Sequence, residues 1–299
     1  MAHTLYSPEQ AARATLASLR WLTNLPRTVR QDFSNEFVAG RGQTVNVRGP
    51  ISAGKANVYT KAQRDAREAI KFNELTETWF PVTLDDQIYN ALRLPDDFAT
   101  FTLENLTKQV LKPQAESVVN DLAAPLIAEM TAVDTDATIP ELVVNADGTS
   151  NFLQVLIKTR QVLNDRKVPT DGRTFAIGSD FEAAALSLPQ LQKVNESGTT
   201  EVLRNATIGR LFGFEIVADP ALPAGFAVGY HRDAFAHVTR PSRQPEGAAK
   251  SATVAQDGFA LRWIQHYNPL QLEDQSVVDT FYGATTLDAN RAVSVSLAA

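Results

Sequence analysis

The chain has 299 residues, 44% of them hydrophobic, enough to bury a large core in one big domain or two intertwined ones. Its formal net charge is −6 and its pI about 5.3, so it lacks the basic surplus of a protein built to grip nucleic acid. It has no cysteine, which excludes disulfides, thiolate metal sites and cysteine nucleophiles. No apolar run approaches the roughly 20 residues that span a bilayer, and Met1 to Leu16 lacks the basic-then-apolar pattern of a secretory signal.

Ser7-Pro8-Glu9-Gln10 reads as a helix start: Ser7 caps, Pro8 suits the first position and Gln10 closes a capping box. Ala12, Leu16 and Leu19 follow at helical spacing, and Pro26 predicts an end near Leu25. Gln43 to Arg48 alternates, with Val45 and Val47 opposed to Thr44, Asn46 and Arg48, which predicts a half-exposed strand. Phe80, Val82 and Leu84 alternate as a second strand. Between the two lies a polar excursion of more than thirty residues, charged on nearly every side from Tyr59 to Glu74. A connection of that length inside a compact domain is functional or disordered.

Thr102 suits a helix cap and Glu104 its positive end. Leu103 to Val133 carries a broken helical stripe, the longest helical signal in the chain. Pro113 and Pro125 inside it predict a kink, or two helices in line. Asn145 to Ser150 is a turn centred on Asp147-Gly148. Ser150 is placed to cap a helix whose face carries Phe152, Val155, Leu156, Thr159, Val162 and Leu163. Thr174 to Ile177 is a short buried strand, and Ser179-Asp180-Phe181-Glu182 reads as a capping box opening a helix to about Leu188. Phe214 to Ala218, Phe226 to Tyr230 and Ala234 to Thr239 read as strands, as do Phe259 to Tyr267, Val277 to Tyr282 and Arg291 to Leu297. Arg240 to Gln256 reads as a polar loop. Helices and strands mix without regular βαβ alternation, so the fold class is α+β.

Several motifs invite chemistry and fall short of it. Gly49-Pro50-Ile51-Ser52-Ala53-Gly54-Lys55-Ala56 has phosphate-loop spacing, but Ala56 stands where Ser or Thr must hold magnesium. Asp134 to Thr138 starts like a calcium loop, yet Ile139 replaces its glycine and Asn145 its glutamate. His231 and His237 fit one face of a strand without an HExxH pattern. Asp85 and Asp86 are adjacent on a strand-like run and face opposite ways. Arg64 and Glu68 are at helical pairing distance. No set of nucleophile, base and oxyanion donor emerges, and no metal or cofactor is expected.

The sequence resembles the coat proteins of tailed phages with the Hong Kong 97-type fold, closest to the short-tailed-phage branch that assembles on a separate scaffolding protein. Phe37-Val38 through Gly42-Gln43-Thr44-Val45-Asn46-Val47-Arg48 is similar to the strand leading into that family's extended loop, and Pro81 to Asp85 to the strand returning from it. The helical run after Thr102 takes the place of the spine helix. Ile208 to Ile216, followed by Leu222-Pro223, is similar to the axial-domain segment.

The resemblance implies five regions: an N-terminal arm (1–40), an extended β-hairpin loop (41–84), a peripheral domain with the spine helix (85–145), an axial domain (146–256), and C-terminal strands returning to the peripheral domain (257–299). It implies a major capsid protein that forms the hexamers and pentamers of an icosahedral virion shell around double-stranded DNA, and no enzyme. The implied partners are further copies of itself, scaffolding and portal proteins, decoration proteins and DNA bound without sequence specificity, with assembly in the host cytoplasm and no membrane. Arg41, Gln43, Arg48, Lys55, Lys61, Arg64, Arg67 and Trp79 are the candidate inter-subunit contacts, and the N-terminal helix with Leu25 to Phe37 a second arm. The family's lysine–asparagine crosslink is not expected: Lys55 and Lys61 are in the loop, but no residue can be assigned as its catalytic acid. The alternatives are an encapsulin-like nanocompartment shell and a phosphate-loop nucleotide enzyme using Lys55.

Overall fold

The computed structural model describes residues 25–31, 44–48, 54–75, 79–84, 86–97, 110–145, 149–188, 209–247, 250–256 and 259–298. The expected helix from Ser7 and the segment around Thr102 lie outside them. The first described helix, α1 (Leu25–Thr28), is a single turn that carries Pro26 in its first turn, where the missing N–H has no helical partner to lose; the expected stop of the preceding helix near Leu25 lies outside the described residues. Leu25 and Val29 are 0% exposed, so this part of the predicted second arm packs on its own chain. Arg30 N donates to Phe235 O at 3.2 Å and His237 N to Arg30 O at 3.0 Å, a short parallel pairing that holds the segment there.

β1 (Thr44–Arg48) pairs antiparallel with β2 (Trp79–Thr83), in register from Thr44↔Thr83 to Arg48↔Trp79. The excursion between them contains a short helix, α2 (Lys61–Asp65). β3 (Asp86–Pro95) follows, a ten-residue strand with most side chains exposed, so no apolar alternation announces it. The described part of the helical run is two helices in line, α3 (Lys112–Leu122) and α4 (Ala124–Thr131), each with a proline in the first turn. α5 (Phe152–Asp165) buries the predicted face. Ser150 does not cap it; its hydroxyl goes to Ala184 O at 3.2 Å, and Asn151 occupies the cap position. Asn151 spends its side chain on Glu141 O and Val143 N, fastening the preceding strand-like segment.

β4 (Arg173–Ile177) is buried at every residue. α6 (Ser179–Leu186) starts without the predicted capping box, because the cap is Gly178 and Ser179 is already helical. Gly178 lies against the backbone of Pro223 and Ala224: a Cβ there would stand 2.2 Å from Pro223 O, so the fit of backbone on backbone outranks side-chain capping. A hairpin follows, β5 (Arg210–Leu211) and β6 (Phe214–Ala218), with Phe212 and Gly213 both at positive φ in its two-residue turn. Then come β7 (Phe226–His231), β8 (Phe235–Arg240), β9 (Lys250–Gln256), β10 (Phe259–Asn268), β11 (Glu273–Thr286) and β12 (Ala292–Ser296). β9 corrects the reading of Arg240 to Gln256 as loop throughout. It is the edge strand against β10 (Leu261↔Val254, Trp263↔Ala252).

Two five-stranded sheets result. One has the order β3-β11-β10-β9, with β8 pairing the far end of the long β11; the other is β12-β7-β4-β6-β5, in which only β4 and β6 run parallel. α5 and α6 cover the mixed sheet around Phe152, Phe175, Phe181 and Phe214, with Phe175 in edge contact with both Phe152 and Phe214. α3 lies on the antiparallel sheet through Leu111, Val118, Leu122, Leu261, Trp263 and Val278. α1 and α4 fill the space beside both, on Tyr230 and Phe235. Burial of these apolar faces is the main stabilising term.

One buried polar cluster joins α3 to the antiparallel sheet. Gln114, 1% exposed on α3, donates to Ser276 O at 2.9 Å and accepts from Ser276 Oγ at 2.8 Å, while Trp263 Nε1 donates to the same hydroxyl at 3.0 Å. This registers the helix on the sheet.

Candidate assembly surface

The base of the β1–β2 hairpin is built into the body. Val82 and Leu84 are 1% and 4% exposed and pack with Ala236, Val238 and Leu287. Gly283 on β11 lets Thr83 approach closely; a Cβ would stand 2.4 Å from Thr83 O.

Beyond Trp79 the described loop, 54–75, is bonded to itself. Asn57 Nδ2 donates to Asn73 Oδ1 at 2.9 Å, and Asn73 Nδ2 to Lys55 O at 2.7 Å, so two amides stitch the limbs together. Tyr59 Oη donates to Glu68 O at 2.7 Å. α2 carries a reciprocal capping box between Thr60 and Gln63. Its end at Asp65, with Arg67 at φ 53°, turns Glu68 off the helix, so the expected Arg64–Glu68 helical pairing does not form.

The loop is ordered locally, yet nearly every residue is exposed. Val58 is 81%, Ile70 60%, Phe72 87% and Leu75 68% exposed. In an otherwise acidic chain its Lys55, Lys61, Arg64, Arg67 and Lys71 outnumber Asp65, Glu68 and Glu74. An arm that presents apolar side chains and positive charge, with its base anchored in the body, suits binding across another surface.

The sequence-predicted contacts divide accordingly. Lys55, Lys61, Arg64 and Arg67 are exposed on the loop; Trp79, 54% exposed, stands at its mouth, opposite Arg48 in the ladder. Arg41 and Gln43 lie outside the described residues. Residue types alone did not single out the bare Val58, Ile70, Phe72 and Leu75, because apolar residues usually mark a core. Tyr89 on β3 and Leu270 and Leu272 in the β10–β11 turn form further exposed apolar points.

The chemical motifs resolve as structural devices. Lys55 opens no helix, as a phosphate loop requires; the next helix starts at Lys61. Asp136 accepts from Thr138 N and Oγ1 at 3.0 and 2.7 Å, bonds that hold its carboxyl below the usual range, and meets Arg166 at 3.0 Å. His231 and His237 do not share a strand face: a 3₁₀ turn (Arg232–Ala234) separates β7 from β8. His231 Nδ1 accepts from Asp233 N at 3.2 Å, and His237 Nε2 meets Leu122 O at 3.2 Å. Among the described residues no group of three or more His, Cys, Asp or Glu is placed to hold a metal.

The architecture is the α+β Hong Kong 97-type fold of phage capsid proteins. A structure from Mycobacterium phage Che8 is 18% identical, with 91% of this chain and 90% of that chain covered, at a TM-score of 0.65. The mature capsid of bacteriophage PhiM1 gives 0.59 at 11% identity, covering 86% and 83%. The virus-like particle from Pyrococcus furiosus gives 0.52 at 12%, covering 95% and 96%. Compared by sequence, the chain matches no family model and no curated protein. At these identities the likeness concerns the fold.

Proposed function

We propose that the chain is the major capsid protein of a tailed phage. It self-assembles into the hexamers and pentamers of an icosahedral shell around double-stranded DNA, and it catalyses nothing. The observation that carries this reading is the loop: anchored through Val82 and Leu84, yet exposing Phe72 and Val58 almost fully. Laid across a neighbour, the loop contributes many contacts of modest strength, and repetition around closed rings makes them a stable assembly. Modest contacts also let misplaced subunits leave.

In this reading residues 41–84 are the extended loop and 1–40 the N-terminal arm. The peripheral domain is 85–145, joined by 257–299, and the axial domain is 146–256. Arg41, Gln43, Arg48, Lys55, Lys61, Arg64, Arg67 and Trp79 meet the neighbouring subunit. The chain belongs with the short-tailed-phage coat proteins that use a separate scaffolding protein, with a portal and decoration proteins as further partners. Assembly takes place in the host cytoplasm and the product is the virion. The acidic balance of the chain fits a wall that meets DNA without reading it.

The test is electron microscopy of the expressed protein with its scaffold, full-length and lacking Ala53 to Glu74. Full-length chain is expected to form shells. The deleted chain is expected to stay folded, with little change in melting temperature, and to form none; normal shells from it would sink the reading.

A nanocompartment shell is the second reading; a virus-like particle from Pyrococcus furiosus shares the fold. The contents of purified native shells separate the two: nucleic acid for a phage, a protein cargo for a compartment.

A further inference from the structure

At one end of the mixed sheet, where β4 begins and β7 ends, lies a cavity of about 250 Å³. It is closed by α1 on one side and by the β5–β6 hairpin on the other. Four guanidinium groups line it, those of Arg27, Arg173, Arg210 and Arg232, against two carboxylates, Asp171 and Glu215.

The charge of three of these arginines is met by no ion pair. Arg173 is only 4% exposed, and its N–H groups go to two neutral carbonyls, Pro169 O at 2.8 Å and Val168 O at 2.6 Å. Arg27 Nε is buried and has no hydrogen-bond partner. Among the described residues none of Arg27, Arg173 and Arg210 forms an ion pair, with Asp171, Glu215 or any other carboxylate. A fifth guanidinium stands close by. Arg160 lies over Gly213, bonds Phe212 O, and by its charge adds to the burial that lowers the Arg173 pKa. A buried cation without a counter-charge is costly, and folded proteins pair such groups or hold an ion beside them.

We propose that this cavity is an oxyanion site that takes a phosphate group. Arginine forks match phosphate oxygens with paired N–H donors. Guanidiniums outnumber carboxylates in the lining, which favours a phosphate oxyanion, whether it carries two charges as the free ion or one as a phosphodiester. A water in the liquid occupies roughly 30 Å³, so the cavity admits a phosphate with part of its hydration shell. The phosphate belongs either to a small free anion or to a nucleic-acid backbone; the recognising chemistry is the same.

The proposal stands apart from the shell reading, which is judged by particle formation. Its test is titration of the purified full-length chain with inorganic phosphate at constant ionic strength, chloride replacing phosphate. ³¹P line broadening and melting temperature are the readouts. Wild type is expected to saturate at one phosphate per chain. Arg27→Ala and Arg210→Ala, at half-buried and exposed positions that leave the core intact, are each expected to weaken binding about tenfold or more, the loss of one charged hydrogen-bonding group. A short oligothymidylate is then added: displacement of phosphate assigns the site to nucleic-acid backbone, and no displacement assigns it to a free anion. Absence of saturation in the wild type, or equal titration curves in wild type and both variants, overturns the proposal.

Discussion

His237 is 0% exposed on β8, and burial lowers its pKa from 6.5 to about 4, opposed by its bond to Leu122 O. The folded state therefore holds it neutral, whereas the unfolded chain takes a proton near pH 6.5. Below pH 6.5 the unfolded state binds more protons, so stability falls with pH toward about 4 and this contribution then levels off. Each such histidine contributes a slope of at most about 1.4 kcal/mol per pH unit. His231, depressed by burial with Asp233 opposing, adds in the same direction. Urea unfolding of wild type and His237→Gln between pH 7 and 5 checks this: the variant is expected to show a visibly shallower decline. An unchanged slope means that His237 is not held neutral. From sequence a histidine on a strand invites a metal; which way its ring faces was hidden until β8 met the end of α3.

Among the elements, the antiparallel sheet has its own internal lock. Asp279 on β11, with its side chain 2% exposed, receives both Nε and Nη2 of Arg262 from β10 at 2.8 Å, and it also accepts from Ser242 and Gln87. Three other segments converge on this one carboxylate. Removing it strands the buried guanidinium of Arg262, so Asp279→Ala is expected to cost about 3–5 kcal/mol. Arg262→Met combined with Asp279→Leu should recover much of that loss, because an apolar pair leaves no charge uncompensated. Denaturant titration of the single and double variants measures both; an equally unstable double variant would mean that packing, not charge, dominates there. The same scale explains the misread edges. β9 and β3 are held by hydrogen bonds to β10 and β11, and backbone pairing leaves little trace in side-chain pattern.

Across the whole molecule, the contrast is between a body with buried cores and an arm that buries almost nothing. Phe72, 87% exposed, has no role in the folded body. Phe72→Asp is expected to change the stability of the isolated chain by less than about 0.5 kcal/mol. The same substitution is expected to cut the yield of shells severely, because it places a charge where the proposed contact is apolar. Melting curves and particle counts by electron microscopy check the two halves separately. A normal particle yield would remove Phe72 from the contact.

Local pattern was sufficient for some features. The one-sided face from Phe152 to Leu163 and the buried run at Thr174 to Ile177 follow from side-chain periodicity. The division of the long helix just before Pro125 follows from the donor that proline lacks. The paired strands flanking the loop announce themselves by alternation over a few residues, and the order of segments carried the resemblance to the capsid fold. What depended on three-dimensional approach was invisible. Ser179 yields the cap to Gly178 because Pro223 and Ala224 come within a methyl group's reach, and Arg27 faces Arg173 and Arg210 only after α1 folds onto the mixed sheet. Exposure divides the same way: the chain spells Val58, Ile70 and Phe72 as it spells core residues, and only the path of the hairpin away from the body leaves them bare. Periodicity records what each residue prefers of its own surroundings, whereas contacts between distant segments are settled by how the packed elements fill space together.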